Sequence, residues 1–269
     1  MSGRVHAVVE GLLSAPGVGA WRVRRFDAQF RAGHFVGAFR GVYPSYAAAA
    51  AAAPPAQPVG YDHDGPAGLY RERIDRVYPS DYAMMFWLGK ILHAGATRVF
   101  DLGGHVGISY YAYQKYLQYP PTLSWEVLDV PAVAKAGREL AKQRDSAGFL
   151  TFVENTDSAN DADVFFTAGC VQYMEPTLTT QIKALSRRPR WVLVNLLPLH
   201  ETLEYWTLQS IDGAFCPYRV QRRAGFFEQM ESLGYETLDR WENPEKGCAV
   251  KFEPRYDVNG YTGAVFRLR

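Results

Sequence analysis

The stretch Val99–Tyr111, VFDLGGHVGISYY, constrains this chain more than any other. An apolar run ends in an acid, passes through a glycine cluster and opens into what reads as a helix start. A backbone that turns so sharply needs glycine where φ is positive or where another group lies close against it. In open α/β sheets, ligands bind beyond the carboxyl ends of the strands, at the point where the strand order reverses. The strand–turn–helix is therefore a candidate ligand cradle.

The segments around it alternate strand and helix. Upstream, Ser80 and Asp81 cap a helix that carries Met84, Trp87, Leu88 and Ile91 on one face and stops at Gly95. Downstream, residues 122–129 (TLSWEVLD) read as a strand, and Pro131 opens a helix with Val133, Ala136, Gly137 and Leu140 facing inward. Further strands are expected near Leu150–Glu154, from Asp163 and from Trp191, where WVLVNLL has the uniform apolarity of a strand covered on both faces. The helix AGFFEQMESLG aligns Phe226, Met230 and Leu233 and ends at Gly234, before two last strands, YETLDRW and TGAVFRLR. Parallel neighbours need crossovers, so this order predicts an α/β fold with a mainly parallel sheet and helices on both faces.

Residues 1–79 read as an N-terminal extension to a domain spanning 80–269. The first 30 or so residues have no sustained period. Phe35, Gly37, Phe39, Gly41 and Tyr43 share one parity, as in an irregular strand or an aromatic flap, and the run AAAAAAAPPAQP suits a short helix followed by an extended connector. A second irregular segment, about 197–223, is aromatic and polar without clear period and reads as a substrate-recognition insert.

Composition narrows the partner. The 269 residues are 48% apolar with a formal net charge of +1, so no single-signed field points to nucleic acid or an anionic membrane. No apolar run approaches the roughly 20 residues of a membrane span, and the start has no convincing secretory leader, which makes a cytoplasmic location the expectation. Cys170, Cys216 and Cys248 form no CxxC pair, and the six histidines show neither HxxxH nor HExxH, so no metal site is expected. A small-molecule or glycan partner is the remaining expectation, with homo-oligomerisation left open.

The cradle itself departs from a dinucleotide loop. A pyrophosphate loop reads GxGxxG, whereas here Asp101 ends the strand and the glycines fall at Gly103, Gly104 and Gly107, with His105 between them. Asp101 repels an anion and welcomes a cation. S-adenosylmethionine, with an α-ammonium, a sulfonium and no phosphate, fits better. Asp129, 22 residues after Gly107, occupies the place of an acid that holds ribose hydroxyls. At these residues the chain resembles the class I S-adenosylmethionine-dependent methyltransferases, whose first motif is D/E-x-G-x-G-x-G. More narrowly, FRGVYPSYAAA, FDLGGHVGISYY, WEVLDVP, VQY at Val171–Tyr173, TLQ and CPYR resemble a bacterial methyltransferase family associated with polysaccharide and lipopolysaccharide biosynthesis regions. That resemblance implies a Rossmann-like fold with a seven-stranded sheet. It also implies that Gln172 and Tyr173 lie at the mouth where cofactor and acceptor meet. The family's acid–arginine pair after the fifth strand is replaced here by Asn195 and Leu196.

Methyl transfer to a hydroxyl calls for a proton acceptor. His200, with Glu201 beside it, follows the presumed fifth strand and is the first candidate, and Tyr173 is a second. Within the insert, Tyr205, Trp206, Gln209 and Tyr218 are candidates to stack on and hydrogen-bond a sugar, with Arg219 holding a phosphate or carboxylate. Each has a packing alternative, and His105 either bonds a local carbonyl or faces the ligand. The expected activity is O-methylation of a glycan or small hydroxylated metabolite. An NAD-type oxidoreductase and a non-catalytic cofactor-binding protein of the same fold are the alternatives.

Overall fold

A computed structural model describes residues 16–60 and 72–269; the opening segment, on which the absence of a leader was read, lies outside the described residues. The first elements are α1 (Pro16–Arg31), β1 (Phe39–Tyr43), α2 (Tyr46–Ala51) and α3 (Tyr82–His93). Then follow β2 (Arg98–Leu102), α4 (Ile108–Tyr113), β3 (Ser124–Leu128), α5 (Pro131–Arg144), β4 (Leu150–Val153) and β5 (Val164–Ala168). The last third holds α6 (Leu178–Ala184), β6 (Trp191–Leu197), β7 (Leu199–His200), β8 (Tyr205–Ile211), β9 (Ala214–Arg222), α7 (Arg223–Ser232), β10 (Tyr235–Asn243) and β11 (Tyr261–Leu268).

The main sheet has seven strands in the order β10-β11-β6-β5-β2-β3-β4. The run from β6 to β4 is parallel, and β11 is antiparallel to both of its neighbours. Period-2 alternation divides its side chains between two cores. Val99, Val127, Val164, Phe166, Leu193 and Val265 meet α3, α4 and α5 on one face. Phe100, Phe165, Val192, Val194, Ala264 and Phe266 meet α6 and α7 on the other. The chain thus has the Rossmann-like, mostly parallel α/β fold, with the carboxyl ends of β2, β3, β5 and β6 on one edge.

Above that edge lies a second sheet, ordered β1-β8-β9-β7. Its strands come from the two segments that read as irregular. β1 pairs antiparallel with β8, Phe39 opposite Gln209, and its pairing shifts between Arg40 and Tyr43, where Gly41 takes φ 78°. The insert escapes a period-2 reading because both faces of its hairpin are covered: Tyr205, Trp206, Thr207 and Leu208 are all buried, as are Ala214 to Tyr218. The alanine run does form a helix, α2, capped by the Ser45 hydroxyl on the Ala48 N–H at 3.1 Å. α1 adds Phe26 and Phe30 to a small outer core with Leu208 and Phe215.

Where the resemblance leads one to expect an ionic pair, Asn195 forms a neutral junction. Its Nδ2 donates to the Ser80 carbonyl at 2.7 Å, while its Oδ1 accepts from the Trp241 indole at 2.9 Å and from Asn243 Nδ2 at 3.0 Å. The Trp241 ring lies flat across Gly263 of the neighbouring strand, where an added Cβ would sit 2.1 Å from the indole. Gly263→Ala should therefore push the ring off its Asn195 partner and lower stability by about 1–3 kcal/mol, measured as a shift in the denaturant midpoint; an unchanged midpoint would show that the ring yields freely.

Candidate functional site

The β2–α4 turn is held from both sides. Gly103 donates its N–H to the Leu128 carbonyl at 2.8 Å, tying the turn to the end of β3. A side chain at Gly103 would collide with Cys170 at 2.3 Å, and one at Gly104 would collide with the Asp101 carboxylate at 2.3 Å. Both glycines are therefore fixed by close approach. His105 takes the left-handed conformation, φ 54°, which is uncommon for a residue with a side chain. Its backbone N–H is anchored by Asp129 Oδ2 at 2.9 Å, and Asp129 Oδ1 accepts from Val130 N–H at 2.8 Å. Each carboxylate oxygen keeps a second lone pair. Burial pushes the Asp129 carboxyl up, against the lowering effect of these two N–H donors.

Asp101 is 1% exposed and accepts the Trp125 indole N–H at 3.0 Å. Burial raises its carboxyl to about 7, the indole bond opposes the rise and the Asp129 charge adds to it. Asp101 and Gly104 border a small chamber of about 50 Å³ beneath the turn, together with Asp81, Ser109 and Tyr113. Gly107 lies outside this chamber, against Leu150.

Over the turn opens a cavity of about 730 Å³, within the size range of small-molecule and cofactor sites. Gly103, His105, Asp129 and Val133 line one end, and Cys170, Gln172 and Tyr173 line the middle, after β5. Gln172 is 3% exposed, and its Oε1 has no hydrogen-bond partner among the described residues. Tyr173 donates its hydroxyl to Gln209 Oε1 at 2.8 Å, across from β5 to the upper sheet. Phe39, Gln209, Cys216 and Tyr218 of that sheet form the roof. Tyr218 is fully buried and bonds Tyr261 through their hydroxyls at 2.7 Å. Burial raises both phenols and pushes the Cys216 thiol up to about 12; the Cys170 thiol also rises, through burial and the nearby Asp129 and Asp101 charges.

The structure does not bring the other candidates to this cavity. His200 Nδ1 accepts the Thr202 and Leu203 N–H groups at 3.1 and 3.0 Å. That fixes the other proton on Nε2, which donates to the Arg255 carbonyl at 3.0 Å. With both ring nitrogens engaged by backbone, His200 shapes a loop. Glu201 is exposed and paired with Arg223 at 2.7 Å. Tyr205 donates to the Tyr256 carbonyl, and Trp206 and Arg219 occupy the far face of the upper sheet, the guanidinium 4.3 Å from the indole ring. Arg219 donates to the Glu175 carbonyl at 2.6 Å, and burial lowers its pKa. Sequence reasoning missed Arg73, Cys170, Lys246 and Tyr261 as cavity residues. Cys170 precedes VQY and was within reach; Lys246 sits in PEKG, which reads as an ordinary exposed turn.

No protein-family model and no curated protein matches the chain. Among solved structures it is similar to the PH0226 protein from Pyrococcus horikoshii OT3, with TM-score 0.50 and 14% identity over 74% of this chain and 91% of that one. It is also similar to the N-terminal domain of EvdMO1 with S-adenosylhomocysteine (SAH) bound, with TM-score 0.48 and 15% identity over 72% and 83% of the two chains. A third is a 1,6-didemethyltoxoflavin-N1-methyltransferase from Burkholderia thailandensis with its namesake ligand and S-adenosylhomocysteine bound, at TM-score 0.43 and 18% identity over 70% and 79%. At 14% identity the likeness to the PH0226 protein speaks to the fold alone.

The Asp101 carboxyl makes the site sensitive to pH. Folding raises its pKa from 3.8 to about 7, so the contribution of its protonated form is fully present below 3.8 and is lost as pH rises through about 7. Asp101→Asn keeps an acceptor for Trp125 and removes the titration. Relative to this variant, the wild type should lose about 2–4 kcal/mol between about pH 4 and pH 8, read from denaturant midpoints. A pH-independent difference would refute the raised carboxyl.

Proposed function

We propose that this chain is an S-adenosylmethionine-dependent methyltransferase acting on a hydroxyl of a small metabolite or sugar. The observation that carries the reading is the pairing of a glycine turn with two carboxyls. Asp101 lies under the turn and Asp129 at its side, so a pyrophosphate would meet the Asp129 carboxylate and find no positive charge at Asp101 in either protonation state. The same residues fit a cofactor with an α-ammonium at one end and ribose hydroxyls at the other.

In this reading Asp129 accepts ribose hydroxyls through the lone pairs left by His105 and Val130, and Asp101 with Gly103 and Gly104 receives the amino-acid end. When bound, the cofactor supplies an electrophilic methyl group on a sulfonium sulfur. The chain's task is then mostly positioning, since in-line displacement gains chiefly from orientation and water exclusion. Gln172, with an unsatisfied buried carbonyl, takes a donor from cofactor or acceptor. The Tyr173–Gln209 bond holds the roof over the reacting centre. His200 is engaged elsewhere, which leaves His105 as the imidazole bordering the cavity among the described residues.

Calorimetry tests the cofactor: S-adenosylhomocysteine should bind the wild type, and Asp129→Ala should weaken binding by about tenfold or more. Tight NADH binding with none for S-adenosylhomocysteine would overturn the reading. His200→Ala should lower stability by about 1–3 kcal/mol, by freeing two backbone N–H groups, while methyl transfer from labelled cofactor stays within about threefold of wild type; a collapse of turnover in a folded variant would restore His200 to the chemistry.

A further inference from the structure

Asp129 is the only Asp or Glu side chain that borders the larger cavity among the described residues, against two cations, Arg73 and Lys246. The charges of both cations also act on the Asp81 carboxyl. Their surroundings differ. Arg73 also borders the small chamber of Asp81 and Asp101 beneath the glycine turn, whereas Lys246 borders the larger cavity alone.

Lys246 stands on a turn whose backbone is fixed. Its N–H bonds the Asn243 carbonyl at 3.1 Å, and the Tyr261 hydroxyl donates to the adjacent Gly247 carbonyl at 3.0 Å. Among the described residues no carboxylate lies within ion-pair distance of its ammonium, although eight of the nine salt bridges are made by arginines elsewhere. Tyr261 links this turn to Tyr218, and Tyr218 packs edge-on against Phe39 at 4.9 Å and Tyr173 at 5.1 Å. An ammonium thus borders a cavity walled by aromatic rings and by the Gln209 amide, whose Oε1 is already occupied by Tyr173. This part of the wall offers donors and positive charge. It attracts an anion and penalises a cation.

We propose that the methyl acceptor is an anion, its carboxylate or phosphate seated by Lys246 and its body held between Phe39, Tyr173 and Tyr218. This deepens the methyltransferase reading and rests on it: Arg73, next to the chamber for the amino-acid end, serves the cofactor's own carboxylate, which leaves Lys246 to the acceptor. The anion-holding role expected of Arg219 passes to Lys246, because Arg219 lies on the far face of the roof. Amine acceptors carrying a positive charge are selected against.

The test uses the full chain and calorimetry in two stages. S-adenosylhomocysteine is titrated first into wild type and Lys246→Gln; equal binding shows an intact cofactor end, and failure in both sinks the methyltransferase reading on its own. Into the loaded proteins go 4-hydroxybenzoate, phenyl phosphate, neutral 4-hydroxybenzyl alcohol and cationic tyramine. One or both anions should bind the wild type about tenfold tighter than the alcohol, and which one does separates a carboxylate from a phosphate acceptor. The preference should disappear in Lys246→Gln, persist in Lys246→Arg and shrink with added salt. Equal binding of alcohol and anions, stronger binding of tyramine, an undiminished preference in Lys246→Gln, or no binding of either anion at millimolar concentration would overturn the proposal while leaving the cofactor result standing.

Discussion

One carboxylate holds the site in register. Asp129 takes the backbone N–H of His105 with one oxygen and that of Val130 with the other, so the end of β3 grips the turn that leaves β2. Hydrogen bonds to a charged acceptor are stronger than neutral ones, typically about 1.5–3 kcal/mol net. That strength is set against a left-handed histidine, whose conformation costs roughly 1–2 kcal/mol for a residue with a Cβ. The turn stays in its shape because the grip offsets the strain, and because Gly103 and Gly104 have no side chains to resist Cys170 and Asp101. The position of the glycine turn on the cavity floor follows from this arrangement.

The parallel sheet was legible because its strands obey simple rules. WVLVNLL reads as doubly covered and Val192 to Leu197 lie in the middle of the sheet between β5 and β11. Gly103, Asp129 and Gln172 could be placed on the cavity because each follows a strand whose end must face the same edge. The insert was not legible in the same way. Its strands are buried on both sides by different partners, one face by the cavity roof and the other by α1 and α2, so aromatic and apolar residues fill both parities. His200 misled for a related reason: position after β6 is visible in sequence, but the loop carbonyl and N–H groups that occupy its ring come from Thr202, Leu203 and Arg255.

The Asn195 junction is built from neutral groups alone. A single amide satisfies a carbonyl from the segment before α3, an indole from β10 and a second amide. Neutral donors and acceptors carry no Coulombic term to be screened by salt, and their geometry is directional. The junction therefore locks β6, β10 and the start of α3 together with little dependence on ionic strength. Just beyond it Leu196, at φ 55°, turns the chain toward the upper sheet and lends its side chain to both the cavity and the chamber.

The upper sheet joins Phe39 to Gln209, residues about as far apart in sequence as a whole domain is long. The cavity's roof is thus a composite of two distant segments, while its floor comes from the turns of the parallel sheet. None of the roof residues belongs to β2, β3 or the hydrogen bonds of Asp129. The shape of the cavity and the geometry of its glycine turn therefore rest on different parts of the chain, and substitution in one leaves the backbone of the other in place.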